Sequence, residues 1–367
     1  MPAPIPSTAR TIPEPVDWGL AEKVARRIAG REPIASSYLG VSLQRDFDAV
    51  TVEAEAAVTE LTGLRPPTAA VATVLDRGGW VGANVASMQR LLAPFSEKVG
   101  ARMAKSPVAP VGRRVAGAEL GFLLGYVAQR VLGQYDLLVP DDAAASISAD
   151  AVYYVGPNIL GLEKRFAFRP RDFRLWIALH ELTHRAQFTG VPWLREYFLG
   201  LVGELVGGTE TDPKRMLGAV VHAVDEMRQG RNPIDEGGVV SLFASPEQRE
   251  SLAKVQALMS LLEGHGNAVM NRLGADLVDG QARMARVLSA RRNARGATAL
   301  LHRLMGLELK MKQYEQGEAF VNAIEREAGL HAVDPAWQSP DLLPTVEELD
   351  APLTWLARVD GATVPTR

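Results

Sequence analysis

Apolar residues recur along this chain at three- and four-residue steps, with little strict alternation, so the elements they predict are mostly helices. Leu20, Val24 and Ile28 line one face of a helix over 18–29, with Lys23, Arg26 and Arg27 opposite. A second helix is predicted over 43–61, stopped by Gly63 and Pro66-Pro67. Asp76-Arg77-Gly78-Gly79 reads as a turn before a helix over 80–92, whose Val81, Val85, Met88 and Leu92 are in register. After a loop over 106–110, a helix over 111–132 carries Gly117, Gly121 and Gly125 on one side, which lets another helix pack closely.

Strand signals are sparse: only 137–139 and 151–155 (AVYYV) have the required composition. The second strand precedes the helix predicted over 171–190. From that order alone it is a candidate to lie along a cleft and pair with an extended peptide. Further helices are predicted over 171–190, 193–206, 213–229, 247–273, 281–290, 298–314 and 317–328, and 337–359 reads as a surface strap. The predicted fold class is therefore mainly α, an α-rich α+β arrangement with a small β element beside one helix. Residues 1–35 form an extended leader and first helix. Residues 36–367 form one domain, with a helical lobe to about 140 and a second lobe from about 141.

Composition narrows the function. There is no cysteine, which excludes disulfides, thiolate metal sites and cysteine nucleophiles, and fits a reducing, cytoplasmic setting. A net charge of −3 with interspersed signs gives no footprint for nucleic acid. Prolines interrupt the N-terminal leader where an export signal needs a continuous apolar run, and Glu119, Gln129 and Arg130 interrupt the longest apolar segment. Neither nucleic acid nor membrane is an expected partner, and nothing in the sequence sets the oligomeric state.

The candidate chemistry lies in the predicted helix over 171–190, where His180, Glu181 and His184 stand in the order H-E-x-x-H. Residues four apart share a helix face, so the two imidazoles converge on one metal ion, and Glu181 beside them is placed to activate a metal-bound water. Leu175, Leu179, Leu182 and Ala186 form one stripe, while Phe173, Trp176, Ile177 and Phe188 cover much of the rest. A helix apolar nearly all round is buried, and its ionisable residues then need partners.

The third ligand is sought among the remaining carboxylates and histidines. Glu263 follows Leu261-Leu262 in a segment of Leu, Ala, Val and Met, where a carboxylate is costly to bury unless neutralised. His265 competes, but two residues along a helix point to nearly opposite sides. Glu263 is therefore the expected ligand, and His265 is expected to face substrate or a transition-state oxyanion. Gly264 and Gly266 are expected to let this helix pack against the His180 helix. Asp225 or Glu226, near His222, is a further candidate to support a ligand histidine.

Two histidines and a glutamate leave a coordination position open, the catalytic pattern for Zn2+. The expected reaction is hydrolysis of a peptide or small amide, with Glu181 as general base. The rival is a zinc-stabilised scaffold or binding protein without turnover.

Several stretches resemble a bacterial family of zincin-like hydrolases: DRGGWVGANVASM from Asp76, AGAELGFLLGYVAQRVLGQYDLLVP from Ala116, ALHELTHRAQF from Ala178, SLLEGHGNAVM from Ser260 and KMKQYEQGEAFV from Lys310. The resemblance covers roughly residues 36–360 and implies a mostly helical metallopeptidase-like fold that shares His180, Glu181 and His184. Some members of that family are associated with deazaflavin-coenzyme biosynthesis.

Overall fold

A computed structural model describes residues 14–30, 38–103, 109–137, 151–207, 245–292 and 307–363. Its chain contacts divide into two compact units: Met1–Gln44 with Thr73–Ala149 and Tyr153–Leu162, and Arg45–Ala72 with Asp150–Val152 and Glu163–Arg367. The units interleave in sequence.

The first unit is built around α1 (Trp18–Ala29), α3 (Arg77–Met103) and α4 (Ala109–Ala128). Asp17 accepts a hydrogen bond from the Leu20 N–H and caps α1. Asp76 does the same for the Gly79 N–H at the start of α3, so the predicted turn is a helix cap and α3 starts at Arg77. The buried face of α1 is Trp18, Ala21, Ala25 and Ala29, and the larger Leu20, Val24 and Ile28 flank it. The reason is the partner: a Cβ added at Gly121 of α4 would stand 2.5 Å from the Ala21 carbonyl oxygen and 2.8 Å from Val24 Cβ. Backbones this close put Ala21 and Ala25 at the seam, with the Cβ atoms of Val24 and Ile28 against the glycines beside them. Trp80, Val81, Val85, Leu124 and Val155 complete the core.

The sheet has three strands in the order β1 (Val71–Leu75), β3 (Ala151–Val155), β2 (Gly133–Tyr135). Three sequence expectations change here. A strand runs over Gly133–Tyr135, ahead of the one predicted at 137–139, of which 138 and 139 lie outside the described residues, and after it the buried Asp136 carboxylate accepts from Ser87 Oγ at 3.0 Å. β1 (VATVL) is as long as β3 but lacks the aromatic residues of AVYYV, so no strand was predicted there. β3 is the central strand, so both of its edges are already paired and it offers none to a peptide.

Helix α2 (Tyr38–Thr62) buries Leu43, Phe47, Val50, Ala54 and Val58 along one stripe and ends at Gly63, whose φ of +69° suits glycine at a helix C-terminus. Helix α5 (Gly156–Phe166) follows β3 directly.

In the second unit, α6 (Pro170–Gly190), α7 (Leu194–Gly207), α8 (Pro246–Leu277), α9 (Gln281–Arg292) and α10 (Leu307–Ala328) pack around α8. Pro170 at the first position of α6 and Asp172 in its first turn are helix-start chemistry. Ser245 and Gln248 form a reciprocal capping box ahead of α8. The predicted break between residues 314 and 317 is not there: α10 runs from Leu307 to Ala328 without interruption, Gly317 included.

The reason is again proximity: a methyl at Gly317 would run into the Ser260 carbonyl oxygen, and one at Gly264 into the Gly317 carbonyl group. Gly264 therefore packs on α10, not on α6 as expected. Two 3-10 turns, Asp334–Trp337 and Pro340–Leu342, lead to α11 (Val346–Asp350) and α12 (Pro352–Thr363). Trp355 and Val359 of α12 are fully buried, and Trp355 packs edge-on against Phe320, so this segment is core and not a surface strap. The predicted helix over 213–229, with His222, Asp225 and Glu226, lies outside the described residues, as does most of the one over 298–314.

No helix among the described residues is long and apolar enough to cross a membrane. The fold is mainly α with a small sheet, as the periodicity predicts.

Candidate metal centre

Helix α6 is buried nearly all round: Phe173, Leu175, Trp176, Ile177, Ala178, Leu179, Leu182 and Ala186 lie in the core. Two arginines fix its orientation. Arg174 pairs in a bidentate fork with Glu163, at 2.8 and 2.9 Å, and also with Asp46. Arg185, with no exposed surface, donates to Glu55 Oε1 at 2.6 Å and to the Thr68 carbonyl oxygen. These arginines are eleven residues apart, which is about three helical turns, so they share a face displaced by roughly 100° from that of the histidines. Each buried cation has a carboxylate beside it, as its desolvation requires.

On the other face His180 and His184 lie one turn apart with their Nε2 atoms 3.1 Å from each other. Helix α8 supplies Glu263, whose Oε2 is 3.3 Å from His184 Nε2 and 3.7 Å from His180 Nε2. Among the described residues these three form the group of donor atoms able to hold a metal ion. The triangle has the dimensions of such a site: a tetrahedral ion with bonds of about 2.0–2.1 Å spaces its ligand atoms about 3.3–3.4 Å apart. Three donors leave one position of the tetrahedron open. Of the three, the His180 side chain is the most exposed, at 21% against 14% for His184 and 10% for Glu263.

Room for the rings comes from Gly266. A Cβ there would lie 3.2 Å from His184 Cε1 and 3.6 Å from His180 Cε1, so a side chain would press on the His184 imidazole and touch that of His180. Residues 261–270 of α8 are all buried, and the carboxylate of Glu263 is thus held in a largely apolar sheath with the histidines facing it.

Charge at the site follows from that geometry. Burial lowers the pKa of His184, but the charge of Glu263, its hydrogen bond, the charge of Glu181 and the Gln187 contact together outweigh it and raise it to about 9. By itself, then, the chain places a positive charge where the three donors meet. Glu181, 8% exposed, lies close enough for its charge to be felt at His184.

His265 is not among the converging donors. It is 4% exposed, its ring meets Trp337 edge-on at 5.1 Å, and its Nδ1 lies 2.9 Å from Gln187 Nε2. Burial first, then the positive charges of His184 and Arg272, lower its pKa to about 3, so it is neutral. Sequence reasoning passed over Gln187, which joins His184 and His265, and the two buried arginines. Their common signal is a polar side chain inside an otherwise apolar helix.

The chain matches the model of a family described as zincin-like metallopeptidases over residues 16–356. A solved structure from Chloroflexus aurantiacus, described as "a putative hydrolase with a novel fold", is 31% identical, with 94% of this chain and 99% of that chain covered and a TM-score of 0.69. No curated protein matches. Neither similarity carries the association with deazaflavin-coenzyme biosynthesis. With a buried H-E-x-x-H helix, a facing glutamate and a family match over nearly its whole length, the chain belongs to the zincin-like metallopeptidase family.

Proposed function

We propose that this protein is a zinc-dependent hydrolase of peptides or another amide, with Zn2+ held by His180, His184 and Glu263. The observation that carries the reading is the triangle of donor atoms, with edges of 3.1, 3.3 and 3.7 Å. Nitrogen and carboxylate donors without sulfur suit zinc, and an open fourth position suits catalysis more than structure. When bound, the zinc supplies a Lewis acid that polarises a substrate carbonyl and acidifies a water molecule.

The protein's own groups do the rest. Glu181 takes the water proton on a carboxylate oxygen and returns it to the leaving amine nitrogen. The neighbouring apolar side chains of α6 and α8 limit water around that carboxylate and strengthen its interactions. His265 stands behind His184 through Gln187, which favours a supporting role over contact with substrate.

The reading is tested by metal content and cleavage together. Elemental mass spectrometry after dialysis should find about one zinc per chain in the wild type and in His265→Ala, and little in His180→Ala or Glu263→Ala. Glu181→Gln should keep its zinc and lose about 10²- to 10⁴-fold in cleavage of a mixed peptide library. No zinc in the wild type, or equal cleavage by Glu181→Gln, would overturn the proposal. Zinc with no cleavage by the wild type would leave a scaffold.

A further inference from the structure

We infer that Gln187 is the positioning residue of this metal centre: its carboxamide, oriented by the Leu262 carbonyl, holds the His184 proton on Nδ1 and keeps Nε2 turned towards the ion. The inference rests on the zinc reading above and deepens it.

The argument follows from what each atom can do. Gln187 is fully buried on α6, three residues after His184. One end of its amide lies 3.0 Å from the Leu262 carbonyl oxygen. A carbonyl oxygen only accepts, so that end must be the nitrogen. The oxygen then faces His184 Nδ1, at 3.0 Å. Since Oε1 also only accepts, His184 Nδ1 must carry hydrogen, and in the neutral ring the lone pair is left on Nε2.

Nε2 is the atom that meets His180 Nε2 and Glu263 Oε2. The second amide hydrogen of Gln187 goes to His265 Nδ1 at 2.9 Å, which makes that nitrogen an acceptor. Reversing the amide would set two oxygens against each other at Leu262 and leave His265 without its donor.

The arrangement also couples the two halves of the ligand set. Leu262 directly precedes Glu263, so the stretch of α8 that delivers the carboxylate also orients the amide that sets the histidine. Ligand histidines in metalloproteins ordinarily give their second N–H to such an acceptor, and its removal typically costs 10- to 100-fold in metal affinity.

The test combines zinc affinity, measured by competition with a chromogenic chelator, with nitrogen-15 NMR of histidine-labelled, zinc-loaded wild type. The spectrum should show His184 protonated on Nδ1. Gln187→Leu should lose about 10- to 100-fold in zinc affinity, whereas Gln187→Glu, which retains an acceptor for Nδ1 but sets an oxygen against the Leu262 carbonyl, should lose clearly less.

No loss in Gln187→Leu, or an equal loss in both variants, would overturn the assignment while leaving the zinc reading intact; a proton on His184 Nε2 would overturn both, because that atom could not then reach the ion. Equal loss would mark Gln187 as packing alone. A wild type that binds no zinc would overturn both. Where a variant does not fold, the wild-type spectrum still tests the assignment: a His184 Nδ1 proton that exchanges with solvent as fast as an unbonded one would overturn it.

Discussion

Two helix seams in this molecule use the same device to different ends. In the first unit, glycines of α4 meet the backbone of α1, and the residues brought together are alanine, valine and isoleucine. In the second, Gly264 and Gly317 bring α8 against α10, and two residues further along Gly266 clears space for two imidazoles. Glycine at a helix contact therefore measures closeness and nothing more. Chemistry is marked by what else is buried at the seam. At α8 that is a glutamate and a histidine enclosed by leucines, with two more histidines facing them.

Substitution should separate these roles. The largest effect is expected from Gly317→Ala, because the new methyl meets a backbone carbonyl that cannot rotate away. Overpacking of this kind typically costs about 1–3 kcal/mol, and here at least the upper end is expected. Since α8 must move to relieve it, zinc content should fall together with Tm. Gly121→Ala, with its Cβ 2.5 Å from the Ala21 carbonyl oxygen, should lower Tm by a comparable but smaller amount and leave zinc content unchanged. A loss of zinc in Gly121→Ala would break the distinction between the two seams.

Gly266→Ala should split the two readouts. The nearest atoms are side-chain atoms at 3.2 Å or more, so strain is modest, and replacing a helical glycine returns up to about 1 kcal/mol of propensity. Thermal stability without metal should hold or rise slightly while zinc affinity drops.

The smallest effect is a pH dependence confined to the second seam. The raised His184 pKa gives the metal-free protein stability that is complete below about pH 6.5 and lost as pH rises through about 9. The lowered His265 pKa acts in the other direction, with stability present above about 6.5 and lost as pH falls towards about 3. From these two groups, chelator-treated protein should be most stable near pH 6.5. Loading with zinc, which needs a neutral His184, should remove the loss on the alkaline side. Denaturant titrations across pH, with and without zinc, measure both arms.

Local chemistry was legible where it is self-contained. The H-E-x-x-H helix, its boundaries and the apolar setting of Glu263 follow from spacing and composition, and the structure brings His180, His184 and Glu263 together. What could not be read depends on partners distant in sequence. That α1 buries alanines and not its larger aliphatics is decided by the glycines of α4, about a hundred residues away. That Gly317 continues a helix is decided by Ser260, and that β3 is central is decided by β1 and β2. Gln187 looked like one polar residue among many until Leu262 fixed which way its amide points.

The buried ion pairs on the arginine face of α6 have a consequence for metal exchange. Rolling the helix about its axis would tear Arg174 from Glu163 and Arg185 from Glu55, leaving charges stranded in the interior, a penalty of about 3–5 kcal/mol for each pair. The imidazoles are therefore held in place before any ion arrives. In small zinc-dependent domains the ion's binding energy is spent on folding, and a chelator unfolds the chain. Here the scaffold stands independently, so a chelator should empty a protein that remains folded, and the ion should return to it without refolding.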